Sequence, residues 1–256
     1  MRKIYLALLV ATGLAIALPV GWLRTRGGGH RLARWWMRRV ARALGLDIVV
    51  DGIPAPGPAL WCANHISWLD VIVLGTLGNM VFVSKAEVRE WPLIGWCARA
   101  AGTVFMRRGS GAGVSDVLAQ KLRSGLAVAF FPEGTTSTGE RLRRFHSRLF
   151  SAAMSTDALV QPVALRFSEF GARSTTAPFV GEDEFLPHLW RVLAGGRLRV
   201  EVVFAEPINP IWMVDRRALA QAAEVAVATS LHDLPPLTQP SGHAAARPNE
   251  LEPLRA

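Results

Sequence analysis

Two ionisable side chains stand five residues apart in the stretch CANHISWLD (Cys62–Asp70), namely His65 and Asp70. Such a pair suits base catalysis. A carboxylate that accepts a proton from one imidazole nitrogen fixes the tautomer and leaves the other nitrogen to take a proton from a hydroxyl. On one continuous helix this spacing would set the side chains about 140° apart, out of reach. A strand ending near Asn64, with a helix beginning after Ser67, would instead swing His65 back over the first helical turn, where Asp70 lies. The competing reading gives Asp70 a structural task, because Ser67-x-x-Asp70 has the form of a capping box. Six His and eight Asp in 256 residues give roughly 0.2 such pairs by chance, so the pair alone decides nothing.

Three later blocks add chemistry. FPEGT (Phe131–Thr135) closes the apolar run LAVAFFPEGT and offers the Glu133 carboxylate, a permissive Gly134 and the Thr135 hydroxyl at a strand's carboxyl end, where α/β proteins bind ligands. An ordinary turn would use Pro132 and Gly134 just as well. GTVFMRR (Gly102–Arg108) ends a strand with two guanidinium groups, Arg107 and Arg108, suited to phosphate or carboxylate. VQPVAL (Val160–Leu165) carries a Pro that suits a strand start or edge. Cys62-x-x-His65 could be half of a metal site, but no second Cys or His pair accompanies it. A buried strand thiol is the better reading, and no metal is expected.

The elements that must position these groups alternate. Strand-like runs cover LDIVVDG, ALWCAN, MVFVS, GTVFMRR, LAVAFFPEG, LVQPVALRF and LRVEVVFAEPI; helices are expected after Ser67, over 85–101, 114–124, 149–154 and 214–231. Residues 47–234 therefore read as one α/β domain with a mixed, largely parallel central sheet flanked by helices. Residues 235–256 are Pro- and Ala-rich without periodicity and are expected to be a disordered tail.

Residues 1–46 read as a membrane-anchoring helical segment. The 20 residues from Ile4 to Leu23 carry no charge, enough at about 1.5 Å per residue to span a hydrocarbon layer of roughly 30 Å. A cleaved signal peptide is the rival, but the following bases, Arg24 to Arg42, favour a cytoplasmic body. On a helical wheel Arg31, Arg34, Arg38 and Arg42 fall within about 80°, with Leu32, Trp36, Met37, Val40, Ala43 and Leu44 opposite, which suits a helix lying at an anionic membrane surface. Docking on the protein's own core explains the apolar side but not the Arg stripe. The formal charge of +9 resides here: residues 1–46 hold nine bases and no acid, and the remainder is balanced at 20 and 20. A neutral domain speaks against nucleic acid as partner. Two cysteines speak against a disulfide framework.

In their order, the four blocks resemble the glycerophospholipid acyltransferases, membrane-associated enzymes typified by 1-acylglycerol-3-phosphate acyltransferase. Asn64-His65-x-x-x-x-Asp70 looks like the family's first motif, GTVFMRR its second, FPEGT its third and VQPVAL its fourth, over residues 45–208. The resemblance implies transfer of a fatty acyl group from a thioester, on coenzyme A or acyl carrier protein, to a lysolipid hydroxyl, with no further cofactor. His65 would be the base and Asp70 its orienting partner. Phe131, Pro132, Glu133, Gly134 and Thr135 would help bind the acceptor, and Arg107 would hold its anionic group. The acceptor is expected to be 1-acyl-sn-glycerol-3-phosphate, with lyso-ornithine lipid, which carries no phosphate, as the alternative; a catalytically inactive lipid-binding protein is a third reading, disfavoured by the intact His, Asp and Glu. The expected location is the cytoplasmic membrane, catalytic domain toward the cytoplasm. No G-x-S-x-G elbow occurs, so direct attack is expected rather than an acyl-serine. Two departures bear on the acceptor. Where enzymes acting on lysophosphatidic acid often continue the third motif with Arg, this chain has Thr136; where a Phe-Lys-Lys-Gly run is common, it has Phe145-His146-Ser147-Arg148. The cluster Arg141, Arg143, Arg144, His146 and Arg148 could restore phosphate binding, meet an acidic carrier protein, or simply be solvated.

Overall fold

The computed structural model describes residues 29–91, 94–107 and 111–237. The apolar run 4–23 and residues 238–256 lie outside the described residues. Among the described residues no helix is long and apolar enough to cross a membrane.

In chain order the elements are α1 (Gly29–Leu44), β1 (Leu46–Asp51), β2 (Leu60–Ala63), α2 (Leu69–Leu77), β3 (Met80–Lys85), α3 (Ile94–Ala101), β4 (Val104–Met106), α4 (Gly111–Arg123) and β5 (Ala127–Phe130). Then come α5 (Ser151–Met154), β6 (Val160–Glu169), β7 (Ala172–Arg173), α6 (Phe185–Ala194), β8 (Leu198–Phe204) and α7 (Arg216–Asp233). The strands form one sheet in the order β1-β8-β6-β2-β5-β3-β4, with β7 paired to β6. From β6 to β4 every neighbour is parallel. β8 runs antiparallel to β6 and parallel to β1. The sheet is thus mixed and largely parallel, as the alternation of runs led one to expect.

Alternation along each strand sorts side chains to the two faces. In β2, Trp61 and Ala63 enter one core with Val73, Leu74, Val192 and Val200, while Leu60 and Cys62 enter the other with Leu118, Phe150, Leu219 and Val227. Two buried faces explain why these strands read as continuous apolar runs. Cys62 is fully buried, and desolvation pushes its thiol well above the usual range.

α1 departs from expectation. Val40, Ala41, Ala43 and Leu44 are buried, and Met37 Cγ lies 3.2 Å from where a Cβ on Gly75 of α2 would sit. The apolar side is docked on the protein's own core, not left for lipid. The Arg stripe is also divided. Arg34 Nε and Arg38 Nε donate to Thr76 O at 3.0 and 3.2 Å, cations placed on an unsatisfied carbonyl at the negative end of α2. Arg31, Trp35, Arg38 and Arg42 are the exposed positions of this side, and Arg39 lies over the Trp35 ring, 4.3 Å from its centroid.

The helix expected over 85–101 is broken. A 3₁₀ turn over Ala86–Glu90 ends at Trp91, which is extended (φ −69°, ψ 128°) because the residue before a proline, here Pro92, is driven out of the helical region. α6 and β7 are additional elements. Pro187 stands in the first turn of α6, where no intrahelical N–H bond is lost. β7 follows a tight turn at Phe170 and Gly171, both with positive φ (51° and 80°), a turn whose usual marker is Asn-Gly and not Phe-Gly.

Candidate active site

The parallel order places the carboxyl ends of β2, β5, β3 and β4 side by side along one sheet edge, the place where open α/β sheets bind ligands. At the end of β2 the backbone must leave the ladder, and Asn64 takes its place. Its Nδ2 donates to Leu165 O at 2.9 Å and its Oδ1 accepts from Leu165 N at 2.7 Å, so a buried side chain continues the pairing with β6.

The next residues turn through Asp70. Its Oδ2 accepts from His65 Nδ1 at 2.7 Å, Ile66 N at 2.7 Å and Ser67 N at 2.9 Å. Asp70 is fully buried at the start of α2, where the helix dipole favours a negative charge. Both readings of the spacing are therefore realised at once. The Ser67 N–H contact is one half of a capping box; the Ser67 hydroxyl makes no reciprocal bond and is buried without a partner among the described residues. A carboxylate can only accept from Nδ1, so Nδ1 carries the proton and Nε2 holds the lone pair. The ring is fixed from its face by Phe131, stacked at 3.9 Å between centroids and 9° between planes.

Glu133 sits past β5 with both oxygens occupied. Oε1 accepts from His65 N at 2.6 Å and Oε2 from Arg143 N at 3.0 Å. Burial pushes its carboxyl above the ordinary value, against the opposite pull of those two donors. One carboxylate thereby joins the His65 turn to the loop 141–148, whose Phe145 N is held in turn by Glu224 Oε2 of α7 at 2.6 Å. Pro132 O accepts from His146 N at 2.9 Å. Gly134 has φ 71°, and a Cβ there would meet the His146 ring at 3.3 Å, so this turn needs glycine.

Next to the His65 turn, but lined by neither His65 nor Asp70, opens a cleft of about 630 Å³ whose walls include Thr135, Thr136, Thr138, Lys85, Glu140, Arg141 and Arg143. Its walls are tied to the catalytic turn: Ser137 N donates to His65 O at 2.9 Å, Phe179 N to Ile66 O at 3.0 Å, and Thr136 Oγ1 to Phe179 O. Arg107 lies farther off. It follows β4, three strands over from β2, about 14 Å at the usual strand spacing, and does not line the cleft. Lys85, at the end of β3, does line it, and sequence reading passed it over. The signal was available, a lone cation ending MVFVSK, but nothing in the sequence says that β3 lies between β5 and β4.

A further group missed from sequence is His188 of α6, fully buried. Its Nδ1 accepts from Trp68 Nε1 at 3.0 Å and its Nε2 donates to Pro178 O at 2.9 Å. Burial lowers its pKa, and the indole N–H leaves Nδ1 no room for a proton. His188 thus pins Trp68, three residues from His65. Among the described residues no group of three His, Cys, Asp or Glu is placed to hold a metal.

The Acyltransferase family profile matches residues 47–166. The chain is 45% identical over 240 residues to the lyso-ornithine lipid O-acyltransferase of Pseudomonas aeruginosa, covering 90% of this chain and 92% of that one. It is 31% identical over 193 residues to the 1-acyl-sn-glycerol-3-phosphate acyltransferase of Neisseria gonorrhoeae, covering 74% and 76%. The crystal structure of the 1-acyl-sn-glycerophosphate (LPA) acyltransferase PlsC of Thermotoga maritima shares the fold with a TM-score of 0.66 at 23% identity, covering 91% of this chain and 98% of that one.

Proposed function

The chain belongs to the glycerophospholipid acyltransferase family and is an O-acyltransferase of lysolipid type, and on that premise we propose an amino-acid-headed lysolipid, lyso-ornithine lipid, as its acceptor. The observation that carries this reading is the 45% identity along nine-tenths of the chain to an enzyme of that name, against 31% for the phosphate-acting relative. We therefore place lyso-ornithine lipid ahead of 1-acylglycerol-3-phosphate, the reverse of the order expected from the motifs. Thr136 and the Phe145-His146-Ser147-Arg148 run agree with this placement, since Thr136 stands where an Arg is common, and His146 and Ser147 stand where Lys-Lys is common, in enzymes acting on the phosphate.

The proposed chemistry follows from the tautomer. Nε2 of His65 removes the proton from the acceptor hydroxyl as its oxygen attacks the thioester carbonyl; the C–O bond forms, the C–S bond breaks, and the proton passes from His65 to the departing thiolate. Asp70 holds the ring and stabilises the imidazolium, and Phe131 fixes its plane. Glu133 acts by holding the turn and the acceptor loop in register. The donor is acyl coenzyme A or acyl carrier protein. The exposed Arg31, Trp35, Arg38 and Arg42 of α1 are proposed to face anionic headgroups of the cytoplasmic leaflet.

Purified full-length protein offered lyso-ornithine lipid and 1-acylglycerol-3-phosphate, each with both donors, should yield ornithine lipid in preference by mass spectrometry. Production of phosphatidic acid alone overturns the reading.

A further inference from the structure

Lys85, Glu140, Arg141 and Arg143 share the cleft beside His65. Opposite charges in one cleft can close into pairs, although at exposed positions they gain little by doing so. Here none does: among the described residues, no ion pair within 4.0 Å joins Glu140 to any of the three cations. The backbone explains how they stay apart. The chain around Glu140 is anchored through Ser137 N to His65 O, through Arg143 N to Glu133 Oε2 and through Phe145 N to Glu224 Oε2. The backbone is committed to the protein, and the charged side chains are left for a ligand.

We infer that Glu140 is the specificity-determining residue of this cleft, binding the terminal ammonium of the acceptor's amino-acid head while Lys85 and Arg141 bind its carboxylate. The inference rests on the acceptor reading proposed above and adds a residue-level cause for it. A zwitterionic head uses both signs of charge. A phosphomonoester uses only the cations and meets Glu140 as a like charge, in a cleft where Thr136 contributes a hydroxyl already given to Phe179 O.

The test is a cycle crossing the protein with its substrate. Full-length wild type and Glu140→Gln are assayed with lyso-ornithine lipid and with the same lipid acetylated on its terminal amine, and 1-acylglycerol-3-phosphate is run alongside. In wild type, acetylation should lower kcat/KM about tenfold, the scale of one hydrogen bond to a charged group. Glu140→Gln should show the same loss with the free amine and no further loss on acetylation, and Glu140→Asp should recover part of it. Equal discrimination by wild type and Glu140→Gln overturns the inference while leaving the acceptor reading intact. Turnover of the phosphate acceptor alone by wild type overturns both. Glu140 is exposed, so its variants should melt with wild type, which a thermal scan checks.

Discussion

The turn at His65 and the cleft beside it are neighbours built on opposite plans. In the turn, one Asp70 oxygen gathers three donors within five residues of chain, Glu133 clamps the backbone, and Phe131 lies flat on the ring. In the cleft, Glu140, Arg141 and Arg143 on an anchored loop and Lys85 at the end of β3 stand without an ion pair among the described residues. Proton transfer tolerates little displacement of the base, so its surroundings are over-determined. On the reading proposed above, acceptor choice falls to side chains whose replacement disturbs no backbone bond. Relatives named for different acceptors can therefore share one fold and differ in what lines the cleft.

Substitutions inside the turn should separate chemistry from architecture. His65→Ala should lower turnover by about 10²- to 10⁴-fold while circular dichroism and membrane association stay as in wild type. Retained activity would remove His65 from the role of base. Asp70→Asn tests whether dyad and cap are one device: it should lose turnover on a similar scale and also about 1–3 kcal/mol of stability, because one oxygen serves both. Loss of only one of these, read from kinetics and denaturant melts, would split the two functions again. Asn64→Ala should cost about 2–3 kcal/mol by removing two buried hydrogen bonds to Leu165.

The smallest effect concerns His188. Its folded pKa lies below the ordinary 6.5, so between those values the unfolded chain binds more protons and stability rises with pH. Its contribution is full above about pH 6.5 and is lost as pH falls through the folded value. His188→Gln should flatten the melting temperature across that window; an unchanged slope would assign the dependence elsewhere.

Much of this was legible in residue order. The apolar runs located seven strands, and the blocks located His65 and Glu133 just past strand ends, where the chain changes from apolar to polar, and Asp70 in the first turn of the helix that follows. What was not legible depends on lateral order. Arg107 and Lys85 both end strands with a cation, and only the placement of β3 beside β5 puts Lys85 in the cleft and Arg107 at the edge. The Arg stripe of α1 was legible only in part, because a helical wheel shows which residues share a face but not that a neighbouring helix ends beside Arg34 and Arg38 at Thr76. Glu133 looked like a ligand-facing carboxylate because no pattern foretells that two backbone N–H groups, 68 and 10 residues away, will occupy it.

The three bonds to Asp70 also bear on the order of assembly. They close loops of three to five residues, which form quickly and need no other part of the sheet, whereas Asn64 waits for Leu165, 101 residues later. A chain emerging from the ribosome can therefore carry its paired base and carboxylate long before it has a groove in which to use them. The groove is completed later still, when Phe179 N reaches back 113 residues to Ile66 O.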